Sequence, residues 1–167
     1  MGTAIRLLDP AENEFLAQLE KKSGPNHMFR TMANKPEALK NFVPLYSAIM
    51  GPGLVERRIK ELVYLAVSFA NECAYCSAAH IAIGRKAGIS EDDLAALRTE
   101  QEGPFSVAER AAIQYARELT RTADAGDSRA ALAEHFSPEQ VVEITLIVAM
   151  ANFTNRFNNG LELKPEK

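Results

Sequence analysis

The sequence predicts an all-α fold: a single compact helical domain of about seven to eight helices spanning residues 1–167. Three observations carry that prediction. Apolar residues recur at helical spacing in nearly every segment, Gly and Pro separate the segments cleanly, and Ser-initiated capping signals stand at three segment starts. No pair of alternating apolar and polar runs marks a strand pairing, and no low-complexity tract or linker divides the chain.

The elements follow in order. Residues 12–22 place Phe15, Leu16 and Leu19 on one face and stop at Gly24-Pro25. A short helix around 27–33 completes an N-terminal helical extension, 1–35. Pro36 suits a first helical position and leads through Leu39, Phe42, Val43, Leu45 and Tyr46 to the breaker Gly51-Pro52-Gly53. Pro44 within that run predicts a kink or a split. The 55–70 segment turns apolar nearly all round, as a helix at the centre of a domain does. Segment 73–86 has a helical pattern and stops at Gly88, so that the core motif occupies 55–88. Ser90-Glu91-Asp92-Asp93 and Ser106-Val107-Ala108-Glu109 read as capping signals for two further helices, with Gly103-Pro104 between them. A short piece near 128–136 follows. Ser137-Pro138-Glu139-Gln140 then supplies N-cap, N1 proline and N3 glutamine for a helix reaching about 159, closed by Gly160.

Composition narrows the function. A chain of 167 residues, 47% hydrophobic and 25% charged, is long enough to bury a core of its own. A net charge of −3 gives no electrostatic reason to expect nucleic acid or an anionic membrane as partner. The first ten residues are broken by charge and proline, unlike a signal peptide, and Arg6 stands where N-myristoylation requires Ser or Thr. The most apolar stretches, 62–70 and 144–151, are too short to cross a bilayer. Cytoplasm is the expected compartment.

The only two cysteines, Cys73 and Cys76, stand three apart, with His80 four residues further on and Glu61 twelve residues upstream. On a helix the three side chains share a stripe, and the two thiols come within reach of a disulfide. Along one straight helix Glu61 and His80 would be about 28 Å apart. A reversal near residues 70–72 makes the arms antiparallel and lays Glu61 opposite His80, with Asn71 as a cap and Cys73 in the first turn of the second arm. There free N–H groups and the helix dipole favour a thiolate. One thiolate can then attack an electrophilic oxygen or sulfur while the other closes the disulfide. His80 can accept or relay the proton, and Glu61 can orient His80. Two buried structural cysteines are an alternative. Another is a zinc site of Cys73, Cys76, His80 and Glu61, although no second close-spaced ligand pair exists. A thioredoxin fold would need a βαβ setting that the pattern lacks.

The pattern Glu, eleven residues, Cys-x-x-Cys, three residues, His resembles the redox-active branch of the alkylhydroperoxidase D-like, carboxymuconolactone decarboxylase superfamily. The similarity covers about 39–86 and, less specifically, 151–160. The resemblance implies a thiol-dependent hydroperoxide reductase, a peroxidase with antioxidant function, without metal or organic cofactor. It implies that Cys76 is the peroxidatic cysteine and Cys73 the more exposed resolving one, with Glu61 and His80 as proton relay. It also implies a dithiol reductant, of which a lipoyl protein is one form, and a homo-oligomer, trimeric or hexameric. Tyr75 departs from the family's best-studied type, which has histidine there; packing is the simpler expectation for it. A non-enzymatic redox sensor, a protein disulfide reductase and a decarboxylase-type lyase are the competing functions.

Other residues carry lesser expectations. His27 and His135 have no partner at catalytic spacing. Asn152, Asn155 and Asn159 form a polar stripe suited to a pocket, a subunit contact or a solvated face. Arg57 and Arg58 are both spaced to pair with Glu61.

Overall fold

The computed structural model describes residues 5–166. Among them a 3₁₀ turn, Pro10–Glu12, precedes nine α-helices: α1 Glu14–Ser23, α2 His27–Met32, α3 Pro36–Met50, α4 Arg57–Ala70, α5 Ala74–Lys86, α6 Glu91–Thr99, α7 Val107–Thr122, α8 Ser128–Ala133 and α9 Pro138–Gly160. The all-helical prediction holds, and no strand occurs among the described residues. The count exceeds seven to eight because the six-residue α2 and α8 are both regular helices. Residues 1–4, where the reading of the N-terminus begins, lie outside the described residues.

The capping signals work as the sequence implies. Ser90, Ser106 and Ser137 each accept the N3 backbone N–H, while Asp93, Glu109 and Gln140 reach back to the cap backbone. Pro44 neither splits nor ends α3, which is one continuous helix over it. It sits on the exposed face, so the carbonyl of Lys40 that its missing N–H leaves unpaired faces water.

Helix α4 is the axis of the fold. Every residue from Lys60 to Ser68 is buried, and α5, α7 and α9 pack around it. Leu62, Val63, Leu65 and Val67 are fully buried, each contributing about 1.5–3 kcal/mol of transfer free energy. The one amine in this run is accommodated rather than exposed. Lys60 Nζ donates to the carbonyls of Ile49 (3.1 Å) and Gly51 (2.7 Å) at the end of α3 and pairs with Glu143 of α9.

Between α4 and α5 the chain reverses in a Schellman motif. Cys73 N–H bonds Ser68 C=O (2.9 Å) and Glu72 N–H bonds Phe69 C=O (3.1 Å), with Glu72 left-handed at φ 51°. Asn71 therefore caps the C-terminus of α4, and Cys73 itself is the N-cap of α5. Further along α5, buried Gly84 lets the two helices close up: a Cβ there would lie 3.0 Å from Ile89 Cδ1 and 3.4 Å from Leu65 Cδ1.

Candidate functional site

The reversal fixes the site. Because Cys73 caps α5, its Sγ accepts the N–H of Cys76 (3.3 Å), which holds the two sulfurs on one side of the first turn. They are joined as a disulfide, with Cα atoms 5.3 Å apart. Cys76 Sγ also receives the side-chain N–H of Asn158, Nδ2, at 3.3 Å from α9. Cys73 is 0% and Cys76 2% exposed, so the expectation of a more exposed Cys73 is corrected. A side chain at the junction of two packed helices is covered from both sides.

One turn beyond Cys76, His80 meets Glu61 as the antiparallel arrangement requires: Nδ1 lies 2.7 Å from Glu61 Oε2, both residues buried. Its other nitrogen, Nε2, is 3.1 Å from the hydroxyl of Tyr46 on α3. A carboxylate oxygen only accepts, so in the neutral ring Nδ1 carries the hydrogen and Nε2 accepts from Tyr46. Both nitrogens are thus engaged, and neither offers a free lone pair to a sulfur in the disulfide state. The ring is held flat by Tyr64, stacked at 3.5 Å between centroids and 13° between planes. Tyr64 is itself tied to Thr154 Oγ1 (2.5 Å), whose own hydrogen goes to the carbonyls of α9.

Burial, with the negative Glu61 and the phenol of Tyr64 nearby, pushes the Tyr46 hydroxyl far above its ordinary pKa, so it remains a donor. Burial raises that of Tyr64 similarly. Of the two arginines, Arg57 pairs with Glu61, its Nη2 2.6 Å from Oε1, although no N–H is aligned on that oxygen. Arg58 turns away to Asp93 (3.1 Å) and Glu109 (2.6 Å).

The asparagine stripe proves to be a fastener. Asn71 Nδ2 donates to Asn152 and Asn155 (both 3.0 Å), Asn155 Nδ2 to Ser68 Oγ (3.2 Å), and Asn159 Nδ2 to the Asn71 carbonyl (2.8 Å). Together they pin α9 to the α4–α5 turn. Tyr75 sends its hydroxyl to α2 and the C-terminal tail. Its hydroxyl donates to Glu166 (2.6 Å) and accepts from Met28 N (3.2 Å). Glu166 also takes the backbone N–H of His27, so this cluster ties the C-terminal tail to α2. Two residues of the site escape sequence reasoning. Tyr46 reads only as an apolar position of its helix, and Asn158, although three residues beyond Asn155, carries no mark of a sulfur partner 82 positions away.

Beside the site, Tyr46 packs on Phe42 (5.6 Å) and Phe42 on Phe153 (5.7 Å). These rings lead to an apolar cleft of about 420 Å³ between α3 and α9, lined by Phe42, Leu45, Ile49, Leu146, Met150 and Phe153.

Fold and site define an all-helical protein with a buried Cys-x-x-Cys disulfide beside a Glu-His-Tyr hydrogen-bonded line. The chain belongs to the carboxymuconolactone decarboxylase family, whose model matches residues 36–118. It is 32% identical over 110 residues to the uncharacterized protein YdfG of Bacillus subtilis, covering 62% of this chain and 74% of that one. Among solved structures, protein ATU0492 of Agrobacterium tumefaciens, of unknown function, superposes with a TM-score of 0.73 at 31% identity (81% of this chain, 95% of the other). Two more distant structures share the fold over 99% of this chain. The alkylhydroperoxidase AhpD core from Ralstonia eutropha JMP134 has a TM-score of 0.82 at 24% identity over 92% of its length. The debrominase Bmp8 has 0.86 at 22% over 94%. Among the described residues no helix is long and apolar enough to cross a membrane.

Proposed function

We propose that this protein is a thiol-dependent hydroperoxide reductase cycling between a Cys73/Cys76 dithiol and the disulfide. The observation that carries the reading is a disulfide closed one helical turn from His80, whose ring is held between Glu61 and Tyr46. In the reduced protein the Cys76 thiolate attacks the outer oxygen of R–OOH. The O–O bond breaks, and the leaving alkoxide takes a proton to become R–OH. The sulfenic acid on Cys76 is then attacked by Cys73, releasing water and forming the S–S bond. Two electrons leave the thiols and reduce one peroxide. A dithiol of the lipoyl type returns them by exchange. Glu61 orients His80, and His80 passes protons to and from the reacting groups, with Tyr46 as its hydrogen-bond partner.

Cytoplasmic location and assembly into a trimer or hexamer belong to the same proposal. In support of assembly, Leu45, Leu54, Val142, Leu146 and Phe153 leave an apolar surface on and beside α3 and α9. The burial of both sulfurs favours a second reading, a redox sensor that oxidises once and stops. Steady-state peroxide consumption with dihydrolipoamide separates the two. A reductase turns over for many equivalents, Cys76→Ser abolishes consumption, and Cys73→Ser gives one turnover and stalls. Consumption ending after one equivalent in the unmodified protein would establish the sensor. Equal partial losses in both variants would overturn the division of roles.

A further inference from the structure

Among the described residues each sulfur of the couple has one hydrogen-bond donor, and the two donors differ in kind. Cys73, at the N-cap, receives the N–H of Cys76. Cys76 lies inside the first turn, its own N–H already given to Cys73, and its sulfur receives Asn158 Nδ2 at 3.3 Å. Asn158 is 2% exposed, and its Oδ1 is buried without any hydrogen-bond partner among the described residues. An unpartnered buried carbonyl is unfavourable. A residue present only to fill space would be apolar, and a carboxamide serving its own hydrogen-bond balance would satisfy both ends. This one satisfies only the end that faces sulfur. Its backbone is fixed as well: Leu163 N–H bonds the Asn158 carbonyl (3.0 Å), and the neighbouring Asn155 and Asn159 fasten α9 to the α4–α5 turn.

We propose that the Asn158 carboxamide is the hydrogen-bond donor that stabilises the Cys76 thiolate, setting both the acidity of that thiol and the reduction potential of the Cys73–Cys76 couple. The inference rests on reading the pair as a redox couple. A neutral disulfide sulfur accepts weakly and a thiolate strongly, so the N–H counts for far more in the reduced, ionised state. Reducing the disulfide takes two electrons and two protons. Above the thiol pKa one proton fewer is taken up, and only there does a thiolate donor favour the reduced form. The donor therefore raises the potential at high pH and leaves it unchanged at low pH.

The test uses two variants. Asn158→Leu removes the donor at similar size, and Asn158→Asp keeps the shape while presenting only acceptors. In a Cys73→Ser background, the pH dependence of iodoacetamide alkylation, read by intact mass, gives the acidity of Cys76. In the two-cysteine protein, equilibration against oxidised and reduced dithiothreitol gives the potential at about pH 5.5 and pH 9.5. The elements around Cys76 carry further charged and titratable groups, among them Glu72 in the α4–α5 turn, Arg57, Glu61 and Tyr64 on α4, His80 and Tyr75 on α5, Tyr46 on α3 and Arg156 on α9. All remain in every variant, so their contributions are shared.

The expected result is a Cys76 pKa about one unit higher in Asn158→Leu, a tenfold loss of thiolate, and higher again in Asn158→Asp. The potential falls by about 30 mV at the higher pH and is unmoved at the lower. An unchanged pKa in both variants, or a potential displaced equally at both pH values as loosened packing would do, overturns the proposal. Neither readout needs peroxide turnover. Shifts of the predicted form in a protein that fails to consume peroxide would leave the donor standing and remove only the peroxidase reading.

Discussion

Replacing Glu61 by Gln is the sharpest single perturbation of the His80 line. The side chain is fully buried and almost unchanged in shape, so the packing of α4 against α5 survives. What changes is charge. Glu61 Oε2 holds His80 Nδ1 at 2.7 Å, and Arg57, 45% exposed on its side chain, pairs with Oε1. A glutamine can still accept from Nδ1 through its carbonyl, but as a neutral partner. Hydrogen bonds to charged groups contribute about 1.5–3 kcal/mol against about 0.5–1.5 for neutral ones. The difference, roughly 1–1.5 kcal/mol, no longer favours the imidazolium that forms as His80 takes a proton, and Arg57 recovers part of its loss from water. If that difference is expressed in the barrier, the second-order rate of disulfide formation with tert-butyl hydroperoxide falls about tenfold. Stopped-flow single turnover on pre-reduced protein measures this, with the midpoint of thermal unfolding as control. A rate within twofold of the unmodified protein at unchanged stability would refute the participation of the Glu61–His80 pair.

Two further outcomes follow from the geometry. Pro44→Ala should stabilise the protein by about 1–3 kcal/mol in urea unfolding, because an exposed position within an unbroken helix gains an N–H for the Lys40 carbonyl and sheds the proline penalty; a loss of stability would show that α3 needs the ring. Burial opposes ionisation of Asp93 and Glu109, but hydrogen bonds from Arg58, Ser90 and Ser106 outweigh it and hold both carboxyls below their usual range. Depressed carboxyl pKa values stabilise the folded state above the unfolded values near 4, and that contribution disappears as pH falls through the folded ones. Arg58→Met should therefore cost roughly 2 kcal/mol at neutral pH and flatten the decline of the melting temperature below about pH 5; an undiminished decline would place the acid sensitivity elsewhere.

The sequence announces those parts of the molecule that depend on neighbours along the chain. Ser90, Ser106 and Ser137 state their helix starts within four residues, and the Glu61-to-His80 spacing brackets a reversal near residues 70–72. Even there, the local roles are one step removed: Asn71 closes α4, and Cys73 opens α5. What could not be read depends on how helices are rotated against one another. Tyr46 reaches His80 across 34 positions and Asn158 reaches Cys76 across 82, and nothing in the local pattern of either helix names the partner. The partners that allow Lys60 to be buried, the carbonyls at the end of α3 and Glu143 of α9, are likewise remote from it along the chain. Arg57 and Arg58 are equally spaced for Glu61 on paper; only packing on α6 and α7 sends Arg58 to Asp93 and Glu109. The exposure of Cys73, expected from resemblance, likewise yields to the covering of the α4–α5 junction.

The most direct test of a Cys73–Cys76 redox couple is a thiol count with intact mass on the reduced protein, before and after one equivalent of tert-butyl hydroperoxide. The two free thiols are expected to fall to none and the mass to drop by about two hydrogens, with no oxygen retained. Thiols that remain free, or a product carrying added oxygen instead of a disulfide, would contradict it.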